Sequence, residues 1–338
     1  MNKVFNILGL LGLALLLLAA FLGVQNWAVA GFTLPDQFYT LSTIFLGIFI
    51  EAAPFLLMGT LASGFVEVFL DRDAIQRLMP KNALLGAVAG GLLGFIFPVC
   101  ECGVIPLTRR FFSKGLAPAT GIAFLLASPV INPIVVASTY AAYGWGPVLF
   151  WRIGLSLFIA VAVGLVFALQ PRPAQLLKPM PLIQISGASV DHPHIAPAAP
   201  GLGPRIQRAL VIAGDEFFEM GRYLIAGSLL AALLQTVVPQ TALLAVGSGP
   251  LLSVLVMMAL AVLLSICSTV DAFVSLAFVG SFTSGSILSF LVFGPMVDIK
   301  SVMLYLQVFQ RKTVLYIVWL VFLFVLLASV FINLNIGI

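Results

Sequence analysis

Long apolar stretches follow one another along this chain with only short basic or prolyl segments between them, and that pattern excludes most folds at once. Of 338 residues, 62% are hydrophobic and only 8% are charged, so a soluble domain of this size could not cover its surface. A helical crossing of a ~30 Å hydrocarbon core takes about 20 apolar residues, and the chain supplies enough for many crossings. The fold class read from this is all-α, a polytopic helical membrane protein whose partners are the lipid bilayer and a small solute or ion. The net charge of +4 does not point to nucleic acid, because the Lys and Arg residues stand in small groups between apolar segments, as in cytoplasmic loops. Three cysteines without a framework spacing argue against a disulfide scaffold. No Walker loop, HExxH or nucleophile elbow appears, so neither an enzyme nor a bound cofactor is expected.

The chain also matches itself. Phe49-Ile50-Glu51 through Gly59-Thr60-Leu61 aligns with Phe217-Phe218-Glu219 through Gly227-Ser228-Leu229 at an offset of about 168 residues. In the same register Cys100 falls on Cys267, and Ser128-Pro129-Val130-Ile131-Asn132 on Gly294-Pro295-Met296-Val297-Asp298. The organisation expected is an N-terminal transmembrane helix in 1–36, repeat 1 in 37–170, a linker in 171–206 and repeat 2 in 207–338. The apolar run Ile7 to Val24 is longer than a cleaved leader needs, although Ala28-Val29-Ala30 resembles a cleavage site. The linker carries eight prolines and both histidines, His192 and His194, which read as solvated loop residues.

Basic residues test the sidedness of these elements. Arg72, Arg77 and Lys81 follow the first element of repeat 1, Arg109, Arg110 and Lys114 follow the second, and Arg172, Lys178, Arg205 and Arg208 go with the linker. If every element crossed once, the 109–114 cluster would face the wrong side. A re-entrant hairpin turning at Pro98 to Gly103 removes the conflict and places 109–114 and the linker in the cytoplasm. The corresponding hairpin of repeat 2 has uncharged flanks, which suits the opposite side. Two inverted repeats with re-entrant or broken helices are therefore expected in the inner (plasma) membrane; a kinked full crossing is the alternative.

The chemistry concentrates where prolines interrupt apolar sequence. Cys100, Glu101 and Cys102 lie between Pro98 and Pro106, with Cys267 aligned in repeat 2. Thiols are soft donors that suit Cu(I), Zn(II) or trivalent arsenic better than hard ions, which makes Cys100 and Cys102 candidate metal ligands. In an extended segment the two would point to opposite faces, so joint chelation needs a tight turn. Asn132 and Asp298 stand at paired proline breaks, where freed backbone and a new half-helix N-terminus can contact solute. These six residues, Cys100, Glu101, Cys102, Asn132, Cys267 and Asp298, form the expected substrate site. Intramembrane acids are costly and default to function, which marks Asp271, Asp298 and Glu51 as coupling candidates. Glu219 is spaced for a helical ion pair with Arg222.

The strings Phe97 to Leu107, Ala127 to Pro133, Cys267 to Asp271 and Phe293 to Asp298 together resemble the bacterial permease family that includes YraQ and the ArsP-type organoarsenical efflux permeases. The resemblance covers about residues 40 to 335 and implies an inner-membrane permease, with a second membrane subunit as partner in some members. Arsenical export belongs to one branch and does not carry over. The function expected is a secondary transporter, working in efflux, for a small thiophilic or metal-like solute. The alternatives are a divalent-metal permease using carboxylates and a thiol-redox or assembly subunit of a two-component complex. Association with further copies of the chain is compatible with each.

Overall fold

The computed structural model describes residues 36–80, 82–97, 99–169, 176–178, 202–237 and 249–335. The expected N-terminal helix and both linker histidines lie outside the described residues. The chain divides into two compact units, residues 1–43 and 44–338, and every contact discussed below lies in the second, although the helix Asp36–Phe69 begins in the first.

Every named element is a helix. In the first half these are α1 (Asp36–Phe69), α2 (Arg72–Leu78), α3 (Ala83–Ile96), α4 (Glu101–Ser113), α5 (Pro118–Ile131), α6 (Pro133–Tyr143) and α7 (Pro147–Ala168). In the second they are α8 (Leu202–Val237), α9 (Leu252–Leu264), α10 (Asp271–Ser275), α11 (Ser284–Met296), α12 (Ile299–Val308) and α13 (Arg311–Asn335). Taking α5 with α6 and α11 with α12, six helices are long and apolar enough to cross a membrane. The chain is thus an all-α, multi-pass membrane protein. Both halves present the same order: a long helix, a pair of short helices around a break, a helix broken at proline, and a long helix. α8 begins at Leu202, so the end of the expected linker is already helical.

The short helices do not cross alone. α3 and α9 have 14 and 13 residues, about 20 Å at 1.5 Å per residue, against a ~30 Å hydrocarbon core. α3 packs along α5 in the same direction. Gly90 lies against Thr120 and Gly94 against Ser128, so closely that a Cβ at Gly90 would sit 2.2 Å from the Thr120 carbonyl oxygen. This glycine stripe is the small-residue seam that lets membrane helices approach. Gly90→Val is accordingly expected to cost about 1–3 kcal/mol of overpacking strain, measurable as lower thermal stability in detergent. α9 and α11 also run side by side in one direction. Ser286 donates to Ser253 at 2.7 Å near their starts, and the Ile299 N–H donates to Ser265 at 3.3 Å just beyond their ends. Between two helices that start level and point the same way, the chain must turn back.

Side-chain contacts sort the remaining helix ends. Lys114 donates to the Glu67 and Leu70 carbonyls at 2.8 and 2.6 Å, and Arg205 donates to the Val68 carbonyl at 3.1 Å. The Lys178 N–H donates to the Val308 carbonyl at 2.9 Å, and Phe112 meets Phe309 edge to face. The ends of α1 and α4, the start of α8 and the α12–α13 junction therefore share one level. At the far end of the 25-residue α13, Asn333 donates to the Pro250 carbonyl and accepts from the Gly285 N–H, joining the starts of α9 and α11.

Candidate functional site

Each proline break is held open by its own side chains. Pro129 and Pro133 withdraw backbone donors, so α5 stops at Ile131 and α6 restarts at Pro133. Asn132 sits between them in extended backbone. Its Oδ1 accepts from the Val135 N–H at 3.0 Å, and its Nδ2 donates to the carbonyls of Ser128 at 3.1 Å and Val99 at 3.4 Å. One side chain thus caps a half-helix and ties it to the break between α3 and α4. Asp298 occupies the matching place after Pro295, with its Oδ1 accepting from the Ser301 N–H at 2.6 Å. Both residues exploit the orphan donors of a helix start.

The two inner breaks are built differently. Cys100 caps α4 in extended conformation, its carbonyl accepting from Gly103 and Val104, which puts Glu101 and Cys102 in the first turn. A carboxylate is favoured at that end of a helix. α9 instead ends at Ser265 in the left-handed region, φ 46°, a conformation that costs a non-glycine residue roughly 1–2 kcal/mol and frees the chain up to Asp271.

All four breaks converge on one buried cluster. Lys300, in the first turn of α12, places Nζ 3.5 Å from Glu101 Oε1 and 3.5 Å from Asp298 Oδ2. Cys100, Cys102 and Cys267 are buried in one core cluster, so thiols from both halves share that core. All three cysteines are free and buried, and Glu101, Asp298 and Lys300 are each only 1% exposed. Of the six expected substrate residues, Glu101 and Asp298 meet Lys300, Cys100, Cys102 and Cys267 share one buried core, and Asn132 is tied to the Val99 carbonyl beside Cys100. Among the described residues no three His, Cys, Asp or Glu side chains are arranged to hold a metal ion. The position between the two carboxylates is filled by the lysine ammonium.

Asp271 stands apart from this cluster. It pairs with Arg152 of α7 at 2.6 Å, Arg152 also donates to Thr139 at 2.9 Å, and Tyr143 meets Ser275 at 2.7 Å alongside. Arg152, 1% exposed, was not among the residues the sequence singled out, although a lone base inside an apolar 22-residue helix is itself a signal of function. Glu51 is half-buried on α1, and its Oε1 is buried without a partner. Glu219 does not use Arg222, which is exposed; it meets Arg109 at 3.6 Å and accepts from Gln307 at 2.8 Å. Arg110 reaches Glu216 at 3.5 Å and Glu67 at 3.9 Å in the same layer, because α4 packs between α1 and α8.

Comparison with known proteins matches residues 37–334 to the ArsP-type family described as "Predicted permease". UPF0718 protein YcgR of Bacillus subtilis is 42% identical over 304 residues, 89% of this chain and 99% of that protein. A Streptococcus mutans protein named "Putative two-component membrane permease complex subunit" is 38% identical over 287 residues, 83% of this chain and 91% of its own. No solved structure matches. The likeness spans both halves and all four breaks, and on it the chain belongs to this permease family, as a multi-pass membrane transporter and not an enzyme.

Proposed function

We infer that the chain is a secondary permease for a small thiophilic solute, bound where the four breaks meet. The observation that carries this is the burial of Cys100, Cys102 and Cys267 in one core, with Glu101 of the Glu101–Lys300–Asp298 cluster between the first two in sequence, because it gathers soft donors from both halves in one region. Glu101 and Asp298 against Lys300 leave one formal negative charge in excess, which favours a positively charged or metal-like solute. A few thiols rather than a closed cage suit a site that must release what it binds. Efflux is the direction proposed, and a second membrane subunit is the partner suggested by the Streptococcus mutans relative's name. A divalent-metal permease would rely on the carboxylates instead, and loss of binding on Cys→Ser substitution separates the two.

Access is proposed to alternate between two ionic layers that bridge the halves. Thr139, beside the Arg152–Asp271 pair, lies seven residues beyond Asn132 along α6, about 10 Å toward one end. Glu219 lies eight residues before Gly227, which touches Lys300, about 12 Å toward the other. In this arrangement the repeats are inverted, the turns after α3 and α9 are re-entrant, and the Arg- and Lys-rich end faces the cytoplasm. Single cysteines in 109–114 and in the linker should then label from the cytoplasmic side, and those in 143–147 and 281–286 from outside. Labelling of 109–114 and the linker from opposite membrane faces would refute that topology.

Asp271 and Asp298, with Glu51, are the residues proposed to couple transport to protons. Reconstituted protein should accumulate solute under an imposed pH gradient, and either Asp271→Asn or Asp298→Asn should keep exchange while losing the gradient's effect. Wild-type flux indifferent to the gradient would leave the acids as ligands or structural partners. The direct assay of the site is thermal shift of purified protein with thiophilic cations, since a ligand that binds only the native state raises its stability.

A further inference from the structure

Lys300 is an unusual occupant for the centre of a solute site. Its ammonium is buried and contacts two carboxylates at 3.5 Å, whereas a committed charge-assisted hydrogen bond lies near 2.7–2.9 Å. The second Glu101 oxygen, Oε2, and Asp298 Oδ2 are buried without a hydrogen-bond partner, as are the hydroxyls of Ser268, in the break after α9, and Ser301, in the first turn of α12. Unpartnered polar groups at this depth are uncommon, and each calls for a ligand or a second state. The lysine backbone has no slack to explain this, because Gly227 of α8 sits directly against it: a Cβ there would lie 3.0 Å from Lys300 Cα. Only the four-carbon stem of the side chain is free to move the charge.

We propose that Lys300 is a tethered counter-cation: its ammonium occupies the position between Glu101 and Asp298 in which the solute cation binds, and solute enters by displacing it. This rests on the permease reading above and narrows its substrate class to cations. The empty site keeps its two carboxylates compensated by the lysine, the loaded site by the solute, so neither state buries a bare pair of like charges. The thiols then discriminate among cations, since Cys102 follows Glu101 directly in the first turn of α4 and shares its buried core with Cys267.

The test removes the tether. Lys300→Met leaves a vacant anionic position that any small cation can fill, so the purified variant should gain thermal stability in sodium chloride relative to equal choline chloride. A shift of about 5 °C or more is expected at saturating sodium, with the wild type unmoved. Lys300→Met combined with Glu101→Gln restores the original net charge and should fold without responding to sodium. Loss of stability in Lys300→Met that sodium, potassium and choline all fail to restore, while the double variant folds, would overturn the proposal and make Lys300 structural. Adding Cys100→Ser and Cys102→Ser to Lys300→Met should leave the sodium response intact. Normal thiophile binding by that variant would refute the thiol reading of the function without touching the role of Lys300.

Discussion

Arg152→Met is expected to destabilise the protein by about 3–5 kcal/mol, the usual consequence of removing one partner from a buried ion pair. The guanidinium bridges Thr139 of α6 and Asp271 of α10, and both it and Asp271 are almost wholly buried. Without it Asp271 keeps no opposite charge within hydrogen-bond distance among the described residues. Methionine preserves most of the stem, so the loss would be electrostatic and not a cavity. Arg152→Met combined with Asp271→Asn should recover much of the stability, because the uncompensated charge is gone. Thermal unfolding of the single and double variants in one detergent gives the coupling directly. If Arg152→Met unfolds with the wild type, the pair contributes little and cannot act as a latch between the halves. If the double variant is stable yet exchanges solute without control by a gradient, the pair serves access and not folding.

Cys100→Ser with Cys102→Ser should reduce thiophile transport to background while leaving thermal stability within about 1 kcal/mol of wild type. Oxygen replaces sulfur at nearly the same size, so packing around the tip of α4 is kept and only the soft donor is lost. Cys267→Ser should produce the same loss, since that thiol shares the buried core of Cys100 and Cys102 from the other half. Normal transport by the triple variant would make the thiols packing residues. Loss of activity only alongside loss of folded protein would favour the structural reading.

Much of this protein was determined by composition and pattern alone. Sparse charge and continuous apolar runs dictate helices that satisfy their own backbone in lipid, and no tertiary information is needed for that conclusion. The prolines at 129, 133 and 295 announced breaks, and the residues beside them, Asn132 and Asp298, cap the restarted helices as local chemistry requires. The similarity of Cys100 and Cys267 in an internal alignment anticipated that both lie in one buried core. What sequence could not supply is which charges meet across the two halves. Lys300 is 199 residues from Glu101, and Arg152 is 119 residues from Asp271. No local period links such pairs. Glu219 shows the same limit, because a partner three residues away on its own helix was available, yet packing against α4 and α12 gave it Arg109 and Gln307 instead. Spacing along a helix offers possible partners, but burial removes water as a competitor and leaves each charge to whichever opposite charge the fold brings within reach. The sequence therefore determined a membrane-embedded bundle and where it breaks, while only the packing of one half against the other decided that a lysine sits between Glu101 and Asp298.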